Sequence, residues 1–116
     1  MAAHPSTPPT ALPMPGGVRR ALDAMRANVE RDWSIHSLAD IAGISSRTLQ
    51  RQFQAFLGKT PLAALRDMRF ERARRELLKG SPDATVTDIA LGCGLTHSGR
   101  FSADYRRRYG ETPTQT

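Results

Sequence analysis

This chain carries one pattern twice, and a fold must accommodate both copies. The stretch SSRTLQRQFQAFLGKTP runs from Ser45 to Pro61, and HSGRFSADYRRRYGETP from His97 to Pro113. Both are helix-length, rich in arginine, and close on Gly-x-Thr-Pro. Upstream, Leu38-Ala39-Asp40-Ile41-Ala42 resembles Val86-Thr87-Asp88-Ile89-Ala90. Leu49, Phe53, Leu57, Gly58, Thr60 and Pro61 then match Phe101, Tyr105, Tyr109, Gly110, Thr112 and Pro113. The offset is 48 in the first part and 52 in the second, which implies a second turn four residues longer. Each unit reads as a short helix, a glycine-containing turn and a longer basic helix, the outline of a helix-turn-helix.

The intervening segments also read as helix, and no stretch alternates like a strand, so the expected fold is all-α. Residues 1–17 are rich in Pro, Ala and Ser/Thr without a charged side chain and read as a disordered leader or linker. Val18, Leu22, Met25 and Val29 then form one apolar stripe. Trp33 is expected in the core. Ser37 is placed as the cap of a helix ending at Ala42, with Leu38, Ile41 and Ala42 inward. Ser45 caps the next helix, to Leu57, with Leu49, Phe53 and Phe56 inward. Thr60-Pro61 starts a connecting helix from Pro61 to Lys79, about 28 Å long at 1.5 Å per residue. Leu62, Leu65, Phe70, Ala73, Leu77 and Leu78 are assigned to its buried side. TVTDIA forms a fifth helix with Val86 and Ile89 inward, GCGL a turn, and Ser98–Tyr109 a sixth helix with Phe101 and Tyr105 inward. Past Pro113 a frayed end is expected. The domain divides into a subdomain at 18–60, the connecting helix at 61–79 and a second subdomain at 80–113, within 18–116.

The 116 residues include 17 Lys+Arg against 11 Asp+Glu, a net charge of +6. With a pI near 10.7, that balance points to a polyanionic partner. Fifteen of the cations are arginine, whose planar fork suits phosphate and guanine edges. The positive charge sits on the longer helix of each unit. There is no acid from Ser45 to Pro61, and Arg100, Arg106, Arg107 and Arg108 stand against Asp104 alone. Arg47, Gln50 and Arg51 share one helical face, where Arg suits guanine and Gln suits adenine. The connecting helix would hold two such helices about 34 Å apart, the spacing of successive major grooves. Arg69 reads equally as an ion-pair partner or a phosphate ligand.

A single cysteine excludes an intrachain disulfide framework, and no signal peptide or 18-residue apolar run occurs, so a cytoplasmic protein without membrane contact is expected. Cys93 and His97 are four apart, but the glycines flanking Cys93 favour a turn and no further ligands are evident, so no metal or cofactor is assigned. No nucleophile–base set, carboxylate pair or phosphate loop appears, and an enzyme is not expected.

From SLADIAGISSRTLQRQF through GKTPLAALRDMRFERARRELL to TVTDIALGCGLTHSGRFSADYRRRYGETP, the chain resembles the DNA-binding domain of AraC/XylS-type transcriptional regulators. The resemblance covers Val18 to Pro113. It implies two helix-turn-helix subdomains that bind double-stranded promoter DNA as activator or repressor. It also implies base reading by Arg47, Gln50 and Arg51 in the first unit, and by Ser98, Gly99, Arg100, Ser102 and Ala103 in the second. Gly99 and Ala103 carry no hydrogen-bonding side chain, so the second unit is expected to read fewer bases. Phosphate contacts are assigned to Ser45, Thr48, His97, Arg106 and Arg107. RNA polymerase is a second candidate partner. The sensor domain usual in the family is missing or removed from this sequence, which is expected to act as a monomer. The rival readings are a nonspecific nucleic-acid-binding module and a protein-docking module.

Overall fold

The protein is a computed structural model that describes residues 13–96 and 98–116, with backbone only at Ser98 and Gly99. Six helices follow in order: α1 (Gly16–Ala27), α2 (Ile35–Ala42), α3 (Ser46–Leu57), α4 (Pro61–Lys79), α5 (Val86–Gly92) and α6 (Ser98–Tyr109). No strand occurs among the described residues. The all-α expectation holds. The leader differs in extent, because α1 already begins at Gly16 and Met14 packs on the core; its residues 1–12 lie outside the described residues.

The apolar side chains form two clusters. Val18, Ala21, Leu22, Met25, Trp33, Leu38, Leu49 and Phe53 gather in the first with Ala64 and Leu65. Ala90, Cys93, Leu95, Phe101 and Tyr105 gather in the second with Phe70 and Ala73. Helix α4 therefore contributes its first half to one lobe and its second half to the other. At 100° per residue, positions 61, 64, 65 and 68 point in one direction, and 70, 73 and 77 roughly 160° away from it. The helix thus buries nearly opposite faces in its two halves. Leu62 and Leu78 lie between those directions and are 43% and 60% exposed, contrary to a single buried stripe. Phe56 is also exposed, at 37%: Leu49, Phe53 and Leu57 share the face turned to the core, and Phe56 stands about 60° to one side of it at 100° per residue.

Helix ends are set by local hydrogen bonds. Ser34, not Ser37, caps α2; the Ser34 side chain accepts from Ser37 N–H, and Ser37 Oγ accepts from Ser34 N–H. Thr85 and Asp88 make the same box at α5. After α2, Gly43 turns left-handed at φ 74° and Ile44 N–H donates to Ala39 O at 3.3 Å. After α5, Gly94 does so at φ 84° and Leu95 N–H donates to Ala90 O at 2.9 Å. Glycine suits both sites, because a side chain is strained at positive φ.

These equivalences correct the repeat. Ser34 pairs with Thr85, Ala39 with Ala90, and Gly43 with Gly94, an offset of 51; α3 and α6 stand 52 apart, so the second turn is one residue longer rather than four. The two similar pentapeptides are out of register by three residues. Ile41 therefore pairs with Gly92, not with Ile89, and is 39% exposed rather than core. Leu38 takes the inward place equivalent to Ile89. Helix α5 also runs on through Gly92, into what reads as turn.

The C-terminus is held rather than frayed. Pro113 is buried, and Tyr105 Oη donates to Thr116 Oγ1 at 2.9 Å. Trp33 is core as expected, its indole N–H donating to Asn28 O at 2.8 Å.

Replacing Phe53 by Ala should cost about 3–5 kcal/mol, the usual penalty for deleting a buried ring. Phe56→Ala should cost less, about 1–2 kcal/mol, because the ring is 37% exposed and lies at the edge of the core. Urea denaturation of the two variants checks the contrast; equal losses would contradict the core boundary drawn here.

Candidate nucleic-acid interface

Helix α3 presents two faces of opposite character. Leu49 and Phe53 are fully buried, while Arg47, Gln50 and Arg51 are all exposed on the other side. That division follows from spacing: at 100° per residue 47, 50 and 51 share one face of the helix, and 49 and 53 the opposite one. Among the described residues, Arg47 and Arg51 enter no ion pair. Their guanidinium forks keep all their donors available to an incoming acceptor.

Ser45 and Thr48 are engaged differently. Ser45 Oγ accepts from Thr48 N–H at 3.1 Å and donates to Thr48 Oγ1 at 2.9 Å, closing the start of α3. Its hydroxyl proton is thereby used, whereas that of Thr48 is left to donate outward. The N–H groups in the first turn of α3 add positive potential at the same end.

On α6, Phe101 and Tyr105 are buried and Phe101 stacks on Phe70 with ring centroids 5.5 Å apart. Arg100, Ser102, Ala103, Arg106 and Arg107 are exposed. The side chain of Ser98, and all of His97, lie outside what the structure describes, and Gly99 has no side chain. The three consecutive arginines have separate fates. Arg107 pairs with Asp104, and Arg108 with Asp67 at 2.8 Å while lying 4.4 Å over the Phe70 ring. Arg106 enters no ion pair among the described residues, nor does Arg100.

Two arginines of α4 have partners that the sequence does not indicate. Arg66, on α4, reaches the buried carboxylate of Asp104 and lines an open cleft with Arg100, Arg107 and Arg108. Arg69 proves to be neither an ion-pair partner nor a free phosphate ligand; it donates to the backbone carbonyls of Val29 and Arg31, each at 2.7 Å. Both contacts join residues some forty positions apart, beyond any local pattern.

Asp67 receives Lys59 at 2.5 Å and Arg108 at 2.8 Å. Burial pushes its carboxyl up, but the hydrogen bonds and charges of those two cations outweigh it and hold the pKa below its ordinary value. Cys93 is buried at the end of α5, its backbone N–H donating to Ile89 O and Ala90 O at 3.1 Å, and burial pushes its thiol pKa up. The thiol is thus kept protonated, which suits packing rather than nucleophilic or ligating chemistry. Among the described residues no helix is long and apolar enough to cross a membrane.

A family described as a helix-turn-helix domain matches residues 38–116 of the chain. The probable thc operon regulatory protein of Rhodococcus erythropolis is 37% identical over 103 residues, covering 88% of this chain and 31% of that protein. The chain thus spans less than a third of that relative's length. The crystal structure of a probable AraC family transcriptional regulator from Rhodopseudomonas palustris CGA009 is 37% identical with a TM-score of 0.80, covering 86% of this chain and 93% of that one. The DNA-binding domain of AdpA, a global transcriptional factor solved in complex with a target DNA, is 25% identical with a TM-score of 0.75, covering 85% of this chain and 87% of that one.

The Asp67 pairs predict a pH dependence. A carboxyl whose folded pKa lies below its unfolded value stabilises the fold above the unfolded value and loses that contribution as pH falls through the folded one. The wild-type melting temperature should fall on acidification below about pH 4, the unfolded carboxylate value. Asp67→Asn should flatten that part of the profile; an unchanged acid limb in thermal melts would refute the assignment.

Proposed function

The chain belongs to the AraC family of helix-turn-helix transcriptional regulators, as a DNA-binding domain, and we propose that it reads two adjacent major grooves of promoter DNA with α3 and α6. The observation that carries this reading is the pair of structurally equivalent helix-turn-helix units. Each is closed by the same box and the same glycine turn, and each exposes arginines with no carboxylate partner among the described residues. The overlay on the DNA-complexed AdpA domain spans both lobes, which supports an arrangement compatible with duplex binding.

In this reading Arg47, Gln50 and Arg51 contact base edges in one groove. Arg100 does so in the next, joined by Ser98, Gly99 and Ser102 where the backbone comes close. Arg106 and Thr48 hold phosphates. Ser45 acts through the cap, and Arg107 contributes charge while tethered to Asp104; His97 is assigned a phosphate from its position in the sequence next to Ser98, the first residue of α6. One molecule spans both grooves, so the domain acts as a monomer. RNA polymerase is a second partner on the same promoter. The chemistry is binding in the cytoplasm, without catalysis or a cofactor.

Nonspecific binding through stacked bases is disfavoured, because Phe53, Phe101 and Tyr105 are buried and unable to stack. Selection from a random duplex pool should yield a bipartite site bound at about 10⁻⁸ to 10⁻¹¹ M, far above random competitor. Equal competition by random duplex would sink the proposal. On the selected site Arg51→Ala should cost about 1–3 kcal/mol and relax one base position. Arg106→Ala should instead weaken all sequences alike and reduce the salt slope by about one unit. Filter-binding titrations at several salt concentrations distinguish reader from positioner.

A further inference from the structure

We propose that Arg69 is a positioning residue that fixes the separation of α3 and α6, and through it the half-site spacing the domain accepts. The inference rests on the two-groove reading above. Arg69 leaves α4 where that helix passes from one lobe to the other. Its Nε donates to Val29 O and its Nη2 to Arg31 O, both at 2.7 Å, gripping the segment between α1 and α2. On its other side lies Gly94, in the turn that leads into α6. A Cβ there would stand 2.8 Å from Arg69 Nε, 3.1 Å from Cζ and 3.2 Å from the Cα of Glu30.

The guanidinium is thus held between the first lobe's backbone and the turn of the second. A small cavity of about 110 Å³, lined by Arg66, Arg69, Gly94, Leu95 and Arg100 among others, lies beside it. Burial lowers the Arg69 pKa and the charge of Asp32 opposes that, so the partly desolvated cation keeps a carboxylate nearby besides its two carbonyls.

Other links also reach the second lobe, among them Arg66 of α4, which pairs with the buried Asp104 of α6. Lys59–Asp67–Arg108 joins partly exposed side chains, which surface ion pairs hold loosely. Arg69 instead clamps backbone at two points, which its planar fork does in one fixed geometry. Gly94 stands four residues before Ser98, where α6 begins, so a movement of the turn is carried toward α6 over a short length of chain. Along DNA one base pair is about 3.4 Å of rise and one-tenth of a turn, so a shift of a few ångströms changes which spacing fits.

The test uses the chain with its selected site, with duplexes whose half-sites are one base pair closer or farther, and with each half-site alone. Wild-type protein should discriminate against both altered spacings by about tenfold, the scale of one wrong position. Arg69→Met should bind each isolated half-site within about twofold of wild type, while its spacing discrimination falls below about threefold. Arg69→Lys, which keeps the charge but lacks the rigid fork, should fall between them. Gly94→Ala presses on the same contact from the other lobe and should also lose the wild-type preference. Retention of the wild-type preference by Arg69→Met and Gly94→Ala overturns the proposal. So does an equal loss on isolated and paired half-sites, or loss of the folded state in both variants, because the contact then serves the fold rather than the spacing. Wild-type protein that shows no spacing preference at all overturns the two-groove reading itself, and this inference with it.

Discussion

Helix α4 belongs to two hydrophobic cores at once, and the rest of the architecture depends on that. Pro61, Ala64 and Leu65 complete the first lobe, and Phe70 and Ala73 the second, on nearly opposite sides of one rod. Neither lobe is a full domain's worth of chain, and neither could close its core without a share of this helix. The lobes therefore sit in succession along the rod rather than on one another, and the molecule is thin, 51 × 39 × 21 Å. A thin body with two outward helices offers more edge to a long ligand than a sphere of equal mass would.

The arginines divide into two groups by what they touch. Arg20 donates to Ala42 O at the end of α2, at 2.5 and 3.2 Å, where a cation also suits the helix terminus. Arg66, Arg74 and Arg108 pair with carboxylates or lie over aromatic rings, and Arg69 holds backbone. Arg47, Arg51, Arg100 and Arg106 do none of these among the described residues. Net charge alone would have credited all of them to the ligand. Those fastened internally shape and orient the surface; those left over face solvent, these four on α3 and α6, and Arg19, Arg72 and Arg75 on α1 and α4.

How much of this was legible in the sequence depended on whether the deciding contact was local. The limits of α4 are marked by Thr60-Pro61 and Gly80, and those of α3 by Ser45 and Gly58. All act within a turn of the helix, and all were read correctly. The exposed triad Arg47, Gln50 and Arg51 follows from the burial of Leu49 and Phe53 on the same element. The register of the repeat was misread because two similar pentapeptides outweighed the caps; Ser34 with Ser37 and Thr85 with Asp88 are the truer landmarks, since hydrogen bonding rather than side-chain likeness fixes the helix start. Leu62 and Leu78 were misassigned because one stripe was fitted to a helix that buries two. Arg66–Asp104 and Arg69–Val29 pair residues close in space and far apart in the chain, and no periodicity encodes them.

Two small lobes reading a few base pairs each would bind weakly when separate. Joined by a flexible linker, the second would meet its groove only at the effective concentration the linker allows, and the ordering cost would fall on binding. A rigid α-helix meets that cost during folding, as long as the lobes cannot pivot at its ends. Helix stiffness alone does not prevent such pivoting, because each lobe grips only half the rod through apolar side chains, which are non-directional. Directional contacts across the junction are therefore needed to turn a stiff rod into a fixed angle. Arg69 with its two carbonyls is such a contact, and the ion pairs of Arg66 and Arg108 along α6 add to it. The hydrophobic effect assembles each lobe, and hydrogen bonds decide how the two lobes stand to one another.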